Sequence, residues 1–167
     1  MTAGPWPRPQ FGDVVWCRFP YGGEQTMARH PCLVLYVSAD AQGQAWLMLA
    51  GGSSSNKSGN WERLPASTDF LVQGKYLQAA GLQHATAFHF EAPQCAADGS
   101  LVAGTVMTLP YTEDYFLAVH PAVSPRAGRL EILTHAPLRE AFAQAAKNAN
   151  LCKMMKQEKQ RFAKAPI

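Results

Sequence analysis

FGDVVWCRFPYGGEQTMARHPCLVLYV, residues 11–37, holds two strand-like runs on either side of a polar turn. In the first, Asp13 to Phe19, Val15, Cys17 and Phe19 fall on one face and Val14, Trp16 and Arg18 on the other, the two-residue period of a strand. Pro20 and the Gly22-Gly23 pair end it. The second run, Cys32 to Val37, is apolar and rich in β-branched and aromatic side chains. It starts after Pro31, where a strand's first residue tolerates a missing N–H, and reads as buried. The turn gathers Glu24, Gln25, Arg29 and His30, so a sheet edge carries a polar loop.

Working outward, AQGQ (41–44) separates two apolar runs and makes residues 32–50 a predicted hairpin. GGSSSNKSGN (51–60) reads as a loop by composition, too short to link two domains. Ala85–Glu91 and Leu101–Leu109 read as further strands, separated by a polar stretch containing Pro93 and Gly99. Pro137 suits the first turn of a helix. Beyond it Leu138, Ala141, Phe142, Ala145, Ala149 and Cys152 recur at three- and four-residue steps, giving one apolar stripe to lay on the sheet. Short strands, intervening turns and one terminal helix predict a mainly β chain of α+β class: a small, partly open barrel with a helix against it.

At 167 residues the chain fits one domain with a core large enough to need neither disulfides nor metal. The expected plan is an N-terminal extension over 1–10, a barrel over 11–138 and a C-terminal helix with a basic tail over 139–167. With 47% hydrophobic and 16% charged residues it is globular, not disordered. No apolar run approaches a membrane span, and MTAGPWPRPQ lacks the basic start and apolar middle of a signal peptide, so a cytoplasmic protein is expected. Cys17, Cys32, Cys95 and Cys152 form no C-x-x-C pair and the five histidines are scattered, so thiols and no metal site are expected, with Cys17 and Cys32 in the core on neighbouring strands. Residues 1–138 carry 8 Lys/Arg against 10 Asp/Glu, whereas 139–167 carry 7 against 2. The basicity therefore sits in the tail, at Lys153, Lys156, Lys159, Arg161 and Lys164 among others. A solvated helix end is the favoured reading of that cluster, and a phosphate-contacting arm the sharper one.

Gly12-Asp13-Val14-Val15-Trp16, Glu24-Gln25 and Pro31 to Leu35 together resemble the N-terminal pattern of the PemK/MazF-type toxins of bacterial toxin–antitoxin modules. AWLMLAGGSSSNK (45–57) is similar to that family's third strand and its Thr/Ser-bearing turn, and AGRLEI with APLREAFAQAAKNANL (127–151) to its last strand and closing helix. About half of the chain is covered; residues 92–126 are read as an insertion. The resemblance implies an SH3-like barrel, a two-fold homodimer and a metal-independent endoribonuclease without cofactor. Such an enzyme cuts single-stranded RNA to 2′,3′-cyclic phosphate and 5′-hydroxyl ends and is blocked by a small acidic antitoxin.

Such cleavage needs a base for the ribose 2′-hydroxyl, a cation for the phosphorane-like transition state and an acid for the leaving oxygen. Alone, Arg29 would be an ordinary turn arginine; the resemblance makes it the leading catalytic cation, since its planar fork holds two phosphate oxygens. In the family the arginine directly precedes the proline, whereas here His30 does, so His30 is the competing candidate, able to act as acid or base. Glu24 is a base, a partner orienting Arg29, or a surface carboxylate. Ser54 with Ser53 stands where the family places phosphate-binding hydroxyls. Gln25, Ser53, Ser55, Lys57, Gln83 and His84 are the implied RNA contacts. The family's later strand carries an Asp and an Arg near a Gln; here Gln83 matches, but Leu82 and Ala85 occupy the charged places. His84 and His89 are the nearby groups that could compensate. Two functions follow: the nuclease, or a barrel without catalysis that binds nucleic acid or a protein.

Overall fold

The computed structural model of this chain describes residues 6–18, 29–61, 64–66, 68–91, 94–95, 97–99, 101–102, 104–116, 125–131, 134–147, 152–153 and 156. Its strands are β1 Asp13–Cys17, β2 His30–Ala39, β3 Ala45–Ser54, β4 Phe70–Val72, β5 Thr86–Phe88, β6 Gln94–Cys95, β7 Leu101–Val102, β8 Val106–Pro110 and β9 Arg126–Arg129. Helix α1, Leu77–Ala80, follows a 3-10 turn at Gly74–Tyr76, and α2 is His135–Ala145.

One sheet runs β4-β5-β3-β2-β1-β9, with β8 also on β3, and β6 pairs β7 apart from it. All these pairs are antiparallel. β2 follows one edge of β3, while the other edge is shared by β8 along Trp46–Ala50 and β5 along Gly52–Ser54. Two successive partners on one edge go with a sheet that curls into a half-barrel. The β2–β3 hairpin is pinned by Asp40, whose Oδ1 accepts from the N–H groups of Gln42 and Gln44 at 2.9 and 3.0 Å, the side-chain turn that Asp forms readily.

The two-residue alternation sends β1 and β2 side chains into two cores. Val14, Leu33 and Leu35 join Met48, Ala50, Phe88 and Leu138, whereas Val15, Cys17, Cys32 and Val34 join Leu47, Leu49, Leu109 and Phe116. Both faces of β1 are therefore buried. Helix α2 closes the first core with Leu138, and Ala141, Phe142 and Ala145 pack partly buried beside it. Gly12, at φ +87°, leaves room for the His135 ring that an added Cβ would meet at 2.8 Å, and Arg139 stacks on Phe11 at 4.6 Å. Cys17 and Cys32 are buried on paired strands, the core positions expected of them, and are free thiols. Burial, and then the neighbouring Cys17, push the Cys32 thiol up.

Several boundaries differ from the sequence reading, and of the run Ala85–Glu91 only Thr86–Phe88 is strand. β2 begins at His30, so Pro31 lies inside it, opposite Trp16 and ahead of the first β2–β3 pair at Cys32. Gly51–Ser54, read as loop, are the end of β3, because β5 supplies the ladder partners that composition does not reveal. Leu101–Leu109 is not one strand: Leu101–Val102 pairs β6, and Val106–Pro110 pairs β3. α2 starts two residues before Pro137, which stands within the first turn, where its missing N–H costs nothing. Phe70–Val72 and α1 carried no expectation. Of the basic cluster, Lys153 and Lys156 are exposed, and Lys159, Arg161 and Lys164 lie outside the described residues.

Candidate functional site

The starts of β2 and the end of β3 meet beside β1 around a cleft of about 300 Å³ lined by Trp16, Arg29, His30, Pro31, Gly52, Ser53 and Ser54. Gly52 forms part of this wall because a Cβ there would lie 2.7 Å from the Pro31 carbonyl oxygen and 2.9 Å from the Phe88 ring. Three strands approach closely at that point, and only glycine fits without displacement. Arg29 is exposed, with its guanidinium 4.7 Å from the centre of the Trp16 ring. Stacking orients the cation at the cleft while leaving its N–H donors available.

Behind the cleft wall stands a buried chain of polar groups. Ser53 Oγ lies 3.0 Å from His89 Nε2, and His89 Nδ1 lies 2.9 Å from Asp69 Oδ2. The second approach is a close imidazole–carboxylate contact without the linear N–H···O alignment of a strong hydrogen bond. The His89 side chain is fully buried and that of Asp69 is 3% exposed, whereas Ser53 is only partly covered. His89 is fixed by its own backbone: its N–H donates to Gly51 O at 3.0 Å and its carbonyl accepts from Thr105 Oγ1 at 2.7 Å. Asp69 is fixed by the Ala66 N–H, which donates to Oδ2 at 2.8 Å. With a carboxylate facing Nδ1, the tautomer protonated at Nδ1 is favoured, so Nε2 accepts the Ser53 proton.

Ser54 points its proton elsewhere. Thr86 Oγ1 donates to the His84 carbonyl at 2.9 Å, so in the Ser54–Thr86 contact at 3.0 Å the serine must be the donor. Both hydroxyl protons thus turn to internal acceptors, and donation to a phosphate requires rotation about Cβ–Oγ.

A second hollow of about 430 Å³, lined by Ser54, Ser55, Asn56, Asn60 and Trp61, shares Ser54 with the cleft. Its loop is held by Asn56, whose Oδ1 accepts from the N–H groups of Ser58 and Asn60, each at 2.9 Å. An indole face beside two amide side chains suits a planar, hydrogen-bonding group such as a nucleobase.

Of the residues singled out in the sequence, Arg29, His30, Ser53 and Ser54 share the cleft, and Ser55 lines the adjoining hollow with its N–H donating to Ala85 O at 2.9 Å. Lys57 is exposed on the turn after it. Gln83 and His84 stand on the turn between α1 and β5 and line neither hollow. Glu24 and Gln25 lie outside the described residues. Leu82, at one of the family's charged places, is a core side chain. Asp69, Asn60 and Trp61 carried no expectation: a lone carboxylate ahead of a three-residue strand has no sequence pattern, and only folding brings it to His89. Among the described residues no three His, Cys, Asp or Glu side chains are grouped to hold a metal, and no helix is long and apolar enough to cross a membrane. No protein-family model, curated protein or solved structure matches this chain.

Proposed function

We propose that this chain is a PemK/MazF-like endoribonuclease on an SH3-like barrel, cutting single-stranded RNA without a metal to 2′,3′-cyclic phosphate and 5′-hydroxyl ends. The supporting observation is convergence: Arg29, His30, Ser53 and Ser54, from two separate stretches of sequence, line one cleft, and a second hollow, holding Trp61, shares Ser54 with it. In this reading Arg29 stabilises the charge that develops on the scissile phosphate, and His30 exchanges the proton of the 2′-hydroxyl or the leaving oxygen. Asn56, Asn60 and Trp61 receive a flanking base. A homodimer in the cytoplasm, checked by a small acidic antitoxin, belongs to the same proposal.

A second reading, a barrel that binds nucleic acid or a protein without cleaving it, is favoured by Leu82, an 8% exposed core residue where the family carries a charge. Incubating purified protein with a long, structurally varied RNA in excess EDTA decides between them. The nuclease predicts cyclic-phosphate ends, identified by mass, with loss of about 10²–10³ in rate for Arg29→Ala, the size of effect seen when one transition-state donor is removed. Intact RNA, with the protein folded and bound to it in a salt-dependent manner, would establish the second reading.

A further inference from the structure

The Ser53–His89–Asp69 chain is more than phosphate binding requires. A serine that only holds a phosphate needs no internal base, whereas Ser53 Oγ lies 3.0 Å from an imidazole backed by a buried carboxylate, and Ser53 lines the cleft. We propose that Ser53, His89 and Asp69 form a nucleophile–base–carboxylate triad that hydrolyses carboxylic esters with a small acyl group, an activity separate from RNA cleavage. Roles, not sequence order, define such a triad, and its parts here come from the end of β3, the residue after β5 and the residue before β4.

The cleft suits this substrate class. Its volume of about 300 Å³ and its Trp16 and Pro31 walls fit a short acyl chain, and Arg29 provides positive charge for the developing oxyanion. Ser53 Oγ bonds to the acyl carbon as its proton passes to His89 Nε2. The bond from that carbon to the ester oxygen then breaks, and the same proton leaves on the alcohol. Water next attacks the acyl-serine and gives a proton to Nε2; the bond to Ser53 Oγ breaks and the proton returns to the serine. Ester and water become acid and alcohol with no change of oxidation state. Asp69 keeps the ring in the required tautomer and stabilises the imidazolium, and its contact is expected to straighten when that charge forms.

The test treats the full chain, without RNA, with an alkyl fluorophosphonate, which loses fluoride to an activated serine. Intact mass and peptide mapping locate the adduct, and p-nitrophenyl acetate turnover is followed in parallel. We expect one adduct, on Ser53, with none in Ser53→Ala and labelling slowed about 10²–10⁴-fold in His89→Gln and Asp69→Asn. An unlabelled Ser53 in folded wild-type protein overturns the proposal even if either buried-site variant fails to fold. So does labelling at an undiminished rate in folded His89→Gln. Neither result bears on RNA cleavage, which is read in its own assay.

Discussion

Two glycines where α1 meets β9 set how closely the layer leading into β5 sits on the sheet, and replacing them should loosen it by a calculable amount. A methyl at Gly128 would stand 2.5 Å from the Ala80 carbonyl carbon, 2.7 Å from Gly81 N and closer still to Ala79 O. One at Gly81 would stand 2.5 Å from the Ala127 carbonyl carbon and closer to its oxygen. These neighbours are backbone, so the two elements must separate by roughly 1 Å, an overpacking cost of about 1–3 kcal/mol. Gly81 also caps α1 at φ +69°, which adds about 1 kcal/mol for any residue with a Cβ. Against both stands a gain of about 0.4–1 kcal/mol from a less flexible unfolded chain. Gly128→Ala should therefore cost about 1.3 kcal/mol and Gly81→Ala about 2.3. Gly43, at φ +79° with nothing within 4 Å of an added Cβ, isolates the backbone part, and Gly43→Ala should cost about 1 kcal/mol or less. Urea unfolding reads these directly: with a slope of about 2 kcal/mol per molar, Gly128→Ala moves the midpoint down by about 0.7 M. The double variant should lose less than the sum, since the first methyl already parts the elements for the second. A Gly128→Ala protein within about 0.5 kcal/mol of wild type would refute the close packing of α1 on β9.

Leu138→Ala empties the one fully buried position of α2 and should cost about 3 kcal/mol, lowering Tm by about 6–12 °C in a calorimetric scan. Asp13 is buried and receives the Gln10 N–H at 2.8 Å and two Arg129 nitrogens at 2.6 and 3.3 Å. Because the arginine is 40% exposed and stays hydrated, Asp13→Ala should cost only about 2–3 kcal/mol by urea unfolding. Burial, and then the Asp13 carboxylate, push the Tyr111 phenol well up, with Arg126 opposing. Above about pH 10 the unfolded chain releases this proton while the folded one keeps it, so stability falls by up to about 1.4 kcal/mol per pH unit from this group. Tyr111→Phe should flatten that alkaline loss in unfolding curves measured from pH 9 to 11. At pH 7 it should be neutral or slightly stabilising, as the buried Oη has no partner among the described residues.

Strands β1 and β2 were legible because the first alternates its side chains between two faces and the second is a continuous apolar, β-branched and aromatic run. The hairpin was legible from AQGQ, residues 41–44, which separates two apolar runs. The site was legible only in part. Arg29, His30 and Ser53 could be named from the resemblance, since short-range patterns survive in a sequence. The strand character of Gly51–Ser54 was hidden, because glycine and serine score as loop until β5 lies alongside to take their hydrogen bonds.

The sequence by itself determined a mainly β chain closed by an amphipathic helix, because side-chain period and turn chemistry are properties of neighbouring residues. Only the tertiary structure decided which of two adjacent serines faces a base. Ser53 and Ser54 are identical in composition and nearly so in position, yet one donates to Thr86 while the other meets His89 and, through it, Asp69. That difference arises from the ladder between β3 and β5 and from the loop before β4, and long-range contacts of that kind leave no periodic trace along the chain.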